Sequence, residues 1–498
     1  MKKRSLFVAA YLAMGAAVMF TSCSNDDDIM NGGIEQGVED AQVLTLQIAS
    51  SGDGLSTRAG RPLLSSAADQ QIRQVALYFV ATDGKNSGKV MLKKWVNWNT
   101  AVPYEDGMQL EISLKSEAKQ KLSDGSYTVY AVGYSGMSNE GTDYTFTPTA
   151  MFNDNGNQVQ VGDQWNDFKA TLKNGVKYAE EVFAGKLNLT VEGNAFNLTT
   201  DGKKNAIVLH RQVAGATGYF DNVPVSVDGK NSRYVRLVAS AKNNTVKFEN
   251  FNSGFTHSSA SNAQYIVNGA DAVTADKADA KFANGKAAHV VYQIDLGDWF
   301  GFDPSYKGKG YKGWDYDNDG FLGSSDVKKY IQDKQLSTDN LHDYDYSAIW
   351  RNPNKSKGQS VYRGTVFGAE FIVPVEYTKE QNTLQLQVTD ADGNVLKYWN
   401  INVASTQLHT GANATYTGEK FDLSASIFNI YRNHMYSVGM KADNTTPQNP
   451  DPDPTDPDPE KPDPTDPDKE DPQDLSKGQD LIIQVNDNWE VIHRMEVD

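Results

Sequence analysis

The residues whose types and spacing could do chemistry are concentrated in the stretch 315–326. Aspartates occupy its first, third, fifth and twelfth positions, and glycine stands at the sixth. Carboxylates at this spacing, with the main-chain carbonyl of the seventh residue, form the oxygen ligand set that Ca²⁺ prefers, and glycine permits the sharp turn. Carboxylates this close also repel one another unless a cation is present. The sequence therefore predicts a structural Ca²⁺ site formed by Asp315, Asp317, Asp319, the carbonyl of Phe321, and Asp326.

Two features indicate what kind of calcium loop this is. Position nine is Gly323, which offers no side-chain ligand, so a water would have to take that place. The last ligand is an aspartate, one carbon shorter than the glutamate usual in EF-hand loops, as in dockerin loops, and residues 326–331 can begin a helix. Dockerins use two such loops, whereas the best second candidate, 390–394, lacks most of the ligands. Cohesin binding is therefore not expected, and an acidic surface turn without metal is the alternative.

The composition excludes several other functions. The chain of 498 residues has a formal net charge of -17 and no basic cluster beyond its first four positions, so nucleic acid would repel it. Its seven histidines are scattered, its one cysteine lies near the N-terminus, and it has neither an HExxH motif nor a glycine-rich phosphate loop after a strand. We therefore expect no catalytic residues and no enzymatic activity.

The N-terminus has the pattern of an export signal. A basic start at residues 2–4 precedes an apolar stretch, 6–20, that is too short to span a membrane comfortably. The tripeptide that ends in Cys23 resembles a bacterial lipobox, in which this cysteine becomes the acylated first residue; a plain signal peptide is the alternative. The acidic cluster 24–28 resembles the surface-export signal of Bacteroidota lipoproteins. We predict a cell-surface protein whose lipidated precursor is held in the outer membrane.

The C-terminus combines a spacer with a strand. Residues 447–474 hold 10 of the 17 prolines and a net charge of -9, so we expect this segment to form neither helix nor sheet. Its composition favours extended polyproline II with a reach of about 85 Å. Beyond them, apolar and polar residues alternate over 481–497, the period of a strand with one buried face. This strand has no neighbour close in sequence, so it must join a sheet edge on its own body or on another molecule. The pattern alone leaves these two options equal.

The body between the two ends is rich in β-strands. Candidate strands recur with turn residues between them and without sustained helical periodicity, which argues for β-sandwiches. Residues 390–394 are predicted to form a hairpin turn, because Gly393 can adopt a positive φ. A break in the pattern at 200–204 predicts the boundary between two sandwiches of unequal size. The candidate strands are 74–80, 126–134, 186–191, 205–210, 233–240, 289–294, 383–388, 395–403 and 435–440.

Several sequence marks together resemble a known family. Residues 429–438 (NIYRNHMYSV) precede an acidic, proline-rich spacer and a final strand that contains the motif NWEV at 488–491. Residues 72–78 (IRQVALY) look like the family's first retained strand, and 56–60 (STRAG) look like its arginine-directed maturation site. With the lipobox, these marks span nearly the whole chain, although residues 250–360 carry none of them. On these marks the chain resembles the fimbrillin family of Bacteroidales, the type V pilins, with the closest likeness to a major fimbrial subunit.

The resemblance implies a cycle of maturation and polymerisation. In the family a surface protease cuts after an arginine, here Arg58, so the mature chain would start at Ala59 and a short strand, 43–50, would leave the first sandwich. The groove left behind would accept the terminal strand of a second subunit, which is donor-strand exchange. Because donor and groove are different surfaces, the polymer is open. The predicted donor residues, with Trp489 as the main anchor, are Leu481, Ile483, Val485, Trp489, Val491, Met495 and Val497.

The fold that the resemblance implies is all-β, with two tandem Greek-key, transthyretin-like β-sandwich domains. The implied partners are identical or related pilin subunits, and host or bacterial surface ligands in adhesion. The predicted segments are a lipoprotein signal peptide at 1–23, a propeptide at 24–58, an N-terminal sandwich at 59–203, a C-terminal sandwich with the calcium loop at 204–444, a linker at 445–476 and a donor strand at 477–498.

A rival interpretation belongs to another class of protein. In it the chain is a surface lipoprotein, either monomeric or at the tip or anchor of a fimbria, that binds glycan or host protein through a calcium-stabilised site. A groove lined by tryptophans such as Trp95 and Trp98 would favour this interpretation. A stable precursor, anchored through Cys23 with Arg58 uncut, would favour it as well.

Overall fold

In the part of the chain that the computed structural model describes, β-strands predominate over two helices, which confirms the prediction of an all-β sandwich fold. No helix in the described part of the chain has the length and apolar character needed to cross a membrane. The residues that the structure describes are 42–51, 72, 74–98, 102–104, 107–116, 122–134, 146–148, 159–165, 169–172, 177–193, 195–198, 206–248, 278–301, 315–337, 341, 346–354, 361–374, 384–403, 435–439, 472–477 and 481–486.

The first part of the chain forms a nine-stranded sheet. Its elements are β1 (Gln42–Ser51), β2 (Gln74–Ala81), a 3-10 helix (Gly84–Asn86), β3 (Val90–Asn97), β4 (Val102–Tyr104), β5 (Gly107–Ser116), β6 (Gly125–Tyr134), β7 (Phe146–Pro148), β8 (Lys169–Leu172), β9 (Val182–Glu192), β10 (Ala195–Leu198) and β11 (Ala206–Arg211). The strand order is β3-β2-β6-β9-β11-β1-β5-β4, and β10 pairs with β9. β7 and β8 belong to a separate small sheet.

The second part of the chain forms a ten-stranded sheet. The elements of this part of the chain, not all of which join that sheet, are β12 (Ala214–Asp221), β13 (Val223–Pro224), β14 (Ser226–Val227), β15 (Lys230–Asn231), β16 (Tyr234–Ala239), β17 (Thr245–Lys247), β18 (Ala280–Lys281), β19 (Ala287–Asp295), α1 (Leu296–Phe300), β20 (Phe321–Leu322), α2 (Ser324–Lys334), β21 (Val366–Ile372), β22 (Leu384–Thr389), β23 (Val395–Val403), β24 (Met435–Val438), β25 (Gln473–Asp474) and β26 (Leu481–Asn486). The order is β18-β19-β16-β22-β23-β26-β24-β12-β21, and β25 pairs with β12. β13 pairs with β20, and β14 with β15.

The strand β2, second from one edge of the first sheet, shows why these segments form sheets with two covered faces. Successive side chains of a strand point to opposite sides. Val75, Leu77 and Phe79 pack into one apolar cluster, whereas Ala76 and Tyr78 pack into another. A strand covered on both faces is therefore a continuous apolar run rather than an alternating one.

All nine strands predicted for the body are present, with bounds that differ by a few residues. The predicted hairpin turn joins β22 to β23, which pair antiparallel. Gly393 has a φ of 81°, and Asp390 Oδ1 accepts hydrogen bonds from the N–H groups of Asp392 at 3.0 Å and Asn394 at 2.8 Å. Local turn chemistry was thus sufficient to predict this connection.

The chain passes from the first sheet to the second later than the predicted boundary at 203/204. β11 pairs with β1 and β9 in the first sheet, and β12 begins at Ala214 in the second. Only Gln212 and Val213 separate these strands. The pattern break at 200–204 lies between β10 and β11, which both pair with β9, so it separates two strands of one sheet.

The two halves share contacts around this crossing. Ala179, from the first half, forms a β-bridge with Phe371 on β21 of the second half. β17, from the second half, pairs antiparallel with β8 from the first. Main-chain pairing therefore connects the two halves directly beside the crossing.

β1 lies inside the first sheet, between β5 and β11. It pairs antiparallel with β5 over ten residues and parallel with β11 over four, from Gln47↔Ala206 to Ser50↔Leu209. The strand expected at 43–50 is therefore present and is one residue longer at each end.

The C-terminal strands follow one another along β12. β24 runs parallel to β12 from Gly215↔Met435 to Gly218↔Val438, and β25 continues beside the same strand at Phe220↔Gln473. A Cβ on Gly439, whose φ is 76°, would lie 2.2 Å from the carbonyl oxygen of Tyr219 and 3.0 Å from the nitrogen of Gln473. The two residues that flank 440–472 therefore lie side by side.

Candidate cation site and terminal strand

The predicted cation loop folds into tight turns that its own aspartates close. Asp317 Oδ1 accepts a hydrogen bond from the N–H of Asp319 at 3.1 Å, and Asp319 Oδ1 accepts one from Phe321 at 2.8 Å. Asp315 Oδ2 accepts one from the N–H of Gly320 at 3.2 Å. The φ of Gly320 is 91°, a conformation that favours glycine, so the sixth position has the turn role that the sequence predicts.

Three predicted ligands converge in space. Asp315, Asp317 and Asp326 each offer a carboxylate oxygen, and these three atoms lie within 4.8 Å of one another. Since Ca²⁺ binds oxygens at about 2.3–2.6 Å, oxygens on opposite sides of one ion are separated by about that distance. Asp319 lies outside this group of oxygens. The arrangement can hold one divalent cation.

Asp326 is the most buried carboxylate of the group, with 1% of its surface exposed. Its Oδ1 accepts hydrogen bonds from the N–H groups of Tyr316 at 2.5 Å and Asp317 at 3.3 Å, and its Oδ2 accepts one from Gly323 at 2.9 Å. Burial raises the pKa of Asp326 to about 7, although these hydrogen bonds lower it. A cation beside this carboxylate would reverse that effect, because it stabilises the ionised form.

Asp315 and Asp319 are also shifted towards the neutral form. Burial raises the pKa of both carboxyls, and the negative charge of Asp317 adds to the effect. Asp315 Oδ1 is buried without a hydrogen-bond partner. An unsatisfied buried oxygen costs about 1–3 kcal/mol, and coordination to a cation would satisfy it.

A separate two-stranded sheet holds the loop on one side, and the apolar core holds it on the other. β20 pairs with β13, and the N–H of Val225 donates to the carbonyl of Gly320 at 3.0 Å. On α2, Val327 and Ile331 are buried in the core. α2 begins at Ser324, so the predicted helix after the loop is present.

The start of α2 rests against the end of β12. Asp221 Oδ1 accepts a hydrogen bond from the N–H of Ser324 at 2.8 Å, and Asp221 Oδ2 accepts one from its hydroxyl at 2.5 Å. A Cβ on Gly323 would lie 2.4 Å from Asn222 Oδ1 and 2.7 Å from Asp221 Oδ1. Position nine of the loop therefore carries no side-chain ligand because the end of β12 leaves no room for one.

Asp221 is a site residue that the sequence did not reveal. It stands 103 residues before Ser324 and ends an apolar strand, so no local spacing connects it with the loop. Burial raises its pKa, hydrogen bonds from Ser324 and Asn222 lower it, and the charge of Asp474 raises it further. The available signal was a single acidic residue at the end of an otherwise apolar strand.

The beginning of the predicted donor strand lies in the chain's own second sheet. β26 pairs parallel with β23, from Ile401↔Leu481 to Val403↔Ile483, and antiparallel with β24. For these six residues the structure shows the intramolecular option of the two that the pattern left open. Leu481, Ile483 and Val485 belong to β26, whereas the other predicted donor residues lie outside the described part of the chain: Trp489, Val491, Met495 and Val497.

The end of the predicted linker 445–476 is part of the folded body, which corrects the expectation that residues up to 474 stay out of any sheet. Asp474 pairs with Asp221 in the short parallel ladder between β25 and β12. Leu475 has no exposed surface; its N–H donates to the carbonyl of Asp221 at 3.0 Å, and its carbonyl accepts from Lys397 Nζ at 3.3 Å. We call residues 473–475 the root of the terminal strand.

The predicted processing sites Cys23, Arg58 and Ala59 lie outside the described residues. The strand that a cut after Arg58 would release is β1.

Trp95 and Trp98 do not line a common groove. Trp95 packs beside the apolar cluster that contains Tyr78 and Trp165. Trp98 has 4% of its surface exposed and belongs to the cluster on the other face of β2, with Phe79. These two tryptophans therefore do not form the ligand groove of the rival interpretation.

No family model and no curated protein matches the chain. Solved structures align with it at low similarity. A fimbrial assembly protein from Parabacteroides distasonis is 10% identical, with 81% of this chain and 93% of that chain covered and a TM-score of 0.30. The fimbrial anchor protein Mfa2 from Porphyromonas gingivalis is 10% identical, with 79% and 90% covered and a TM-score of 0.29. At this similarity the alignments carry no argument for the function of this chain.

Proposed function

We propose that this protein is a structural subunit of a cell-surface fimbria that supports adhesion. It is exported as a lipoprotein through Cys23, matured by cleavage after Arg58 and polymerised by donor-strand exchange. The observation that carries the proposal is the position of β1, which lies inside the first sheet and before Arg58 in the sequence. A cut there would separate β1 from the rest of the chain while its neighbours β5 and β11 stay in the body.

Loss of β1 would leave a slot for one strand. β5 would present the main-chain groups of ten residues on one side, and β11 those of four on the other. Unpaired strand edges accept another strand readily. The alternating segment 481–497 is long enough to fill the slot from a second copy of this chain or a related subunit.

The intramolecular position of β26 favours a second candidate function. A subunit whose terminal strand never leaves its own sheet can receive a donor strand but cannot provide one. Such a subunit would stand at an end of the fimbria or act as a monomeric lipoprotein. Filament growth from the purified, matured chain alone distinguishes the two functions, because only a shaft subunit polymerises with itself.

Maturation is tested with Arg58→Ala, which should leave an uncut, lipidated and unpolymerised precursor. Arg61→Ala is the matched control, since Arg61 is followed by Pro62, whose ring removes the N–H and constrains the bond that a protease would enter. N-terminal sequencing of protein from cells should give Ala59 for the wild type and the control. Ordinary filaments from Arg58→Ala would contradict the proposal.

The anchor of the donor strand is tested with Trp489→Ala. Loss of a buried aromatic anchor should weaken assembly by about 2–4 kcal/mol. Filament formation is compared with the melting of the uncut monomer, which this substitution should leave nearly unchanged. Equal filament yields from the wild type and Trp489→Ala would show that Trp489 is not an anchor of the interface between subunits.

We also infer that the loop 315–326 holds a structural Ca²⁺. The ligands are Asp315, Asp317 and Asp326, with Asp319 and the Phe321 carbonyl completing the set. Extracellular calcium modules have dissociation constants of about 0.1–1 mM, and Ca²⁺ at tenfold that concentration would stabilise the fold by about 1.4 kcal/mol.

Calorimetry and melting curves with and without chelator test this site. Asp315→Asn should abolish the calcium dependence. Asp392→Asn makes the same charge change in the exposed hairpin turn and should leave the dependence intact. A melting temperature that is the same with calcium and with chelator would contradict the proposed Ca²⁺ site.

A further inference from the structure

Asp221 touches two structures that are far apart in the sequence. Its carboxylate accepts the N–H and the hydroxyl of Ser324, at the start of the helix that carries Asp326. Its main-chain carbonyl accepts the N–H of Leu475, in the root of the terminal strand. The side chain and the main chain of one residue thus join the cation loop to the root.

Packing reinforces this connection. Leu475 belongs to the same apolar core as Leu322, which lies within the loop on β20, and Val327, which directly follows the loop on α2. Asn222, the next residue after Asp221, donates its N–H to Asp221 Oδ1 at 2.8 Å and fixes the orientation of that carboxylate. A displacement of the loop would therefore be transmitted to the root through closely packed, hydrogen-bonded groups.

The root decides how far the terminal strand can reach. While the root is docked, only residues 476–480 separate it from β26, which extended chain spans in about 17 Å. If the root is released, β24 is the preceding element of the described fold, and the 41 residues 440–480 between it and β26 have an extended length of more than about 100 Å. Docking of three residues therefore changes the accessible distance severalfold.

We propose that Ca²⁺ in the loop 315–326 strengthens docking of the root through Asp221 and so keeps the terminal strand on a short tether. The inference rests on the calcium site proposed above. A cation that orders the carboxylates also fixes the start of α2, and Ser324 then holds Asp221 in the position that accepts Leu475. Coupling between two equilibria is reciprocal, so docking of the root also raises the affinity for Ca²⁺ by the same factor.

Hydrogen–deuterium exchange of the full chain, with Ca²⁺ or with chelator, measures the coupling. Peptides that contain Leu475 and β26 should exchange about 5- to 150-fold more slowly with Ca²⁺, the factor that typical coupling free energies give. Peptides from β2, in the first sheet, serve as the internal control and should not change. Asp221→Ala should abolish the difference at the root while calorimetry still detects Ca²⁺, because Asp221 is not a ligand.

Two further variants complete the test. Asp392→Ala removes a carboxylate from an exposed turn and should preserve the calcium effect on the root. Ser324→Ala removes only the hydroxyl contact and should reduce the effect, which keeps the test decisive if Asp221→Ala does not fold. Calcium binding without any change at the root overturns the coupling and leaves the calcium site standing. Absence of calcium binding overturns both.

Discussion

Two strands from opposite ends of the chain occupy similar places in different sheets. β1 lies between β5 and β11, and β26 lies between β23 and β24; each has one antiparallel and one parallel neighbour. The ladders differ in length. β1 has ten and four register pairs, whereas β26 has three and three.

This difference teaches which strand can leave by itself. Each main-chain hydrogen bond contributes about 0.5–1.5 kcal/mol net, so the longer ladders hold β1 far more firmly. A donor strand would displace β1 slowly while β1 is still covalently attached. An uncut β1 that unpairs stays close to its slot at a high effective concentration and pairs again. The proposed function requires β26 to leave its ladders reversibly, and these are the shorter of the two sets. In the proposed function, cleavage acts on β1 and exchange on β26 for this reason.

The largest expected effect is that of removing β1. Deletion of residues 42–51 should lower the free energy of unfolding of the first half by several kcal/mol, since both neighbours lose their ladders. Chemical denaturation followed by fluorescence measures the change. A synthetic peptide of residues 477–498 should restore part of the stability, and a peptide of the same composition in scrambled order should not. An unchanged free energy of unfolding after the deletion would show that the long ladders of β1 contribute little to the stability of the first half.

A smaller effect is expected from removing the terminal strand. Truncation after residue 476 should cost about 1–4 kcal/mol, because β23 and β24 lose the strand between them. The sequence alone predicts almost no cost, since the strand follows a long spacer. Truncation after residue 486 keeps β26 and is the matched control, with little expected change in the denaturation midpoint. A loss of stability as large as that expected from deletion of β1 would contradict the inference that β26 is held less firmly than β1.

The smallest effect concerns the contact beside the root. Gly439 and Gly229 have nearly the same φ, 76° and 78°, but a Cβ on Gly439 would clash with Tyr219 and Gln473, whereas a Cβ on Gly229 meets nothing within 4 Å. Both substitutions to Ala carry the cost of a positive φ. Gly439→Ala should cost about 1–3 kcal/mol more, the scale of overpacking. Equal melting temperatures for the two variants would mean that residues 439 and 473 are not held together in solution.

Much of the fold was predictable from local sequence. Each of the nine body strands was visible as a short apolar run between turn residues, and Gly393 marked the hairpin between β22 and β23. The cation loop was visible because its carboxylates stand within twelve consecutive residues. These features depend on neighbours a few residues apart, and such patterns can be found in one chain without its structure.

The sequence by itself determined those strands that stand out as short apolar or alternating runs between turn residues, because that pattern is a property of the strand alone. Other long strands were not predicted: β3, β5, β12 and β21. Only the tertiary structure decided where those strands pair. It placed Leu481 beside Ile401, the root beside Asp221, and the crossing between the sheets at Gln212. The physical reason is that a strand's main-chain groups are the same in every strand, so the partner is chosen by packing between residues far apart in the chain.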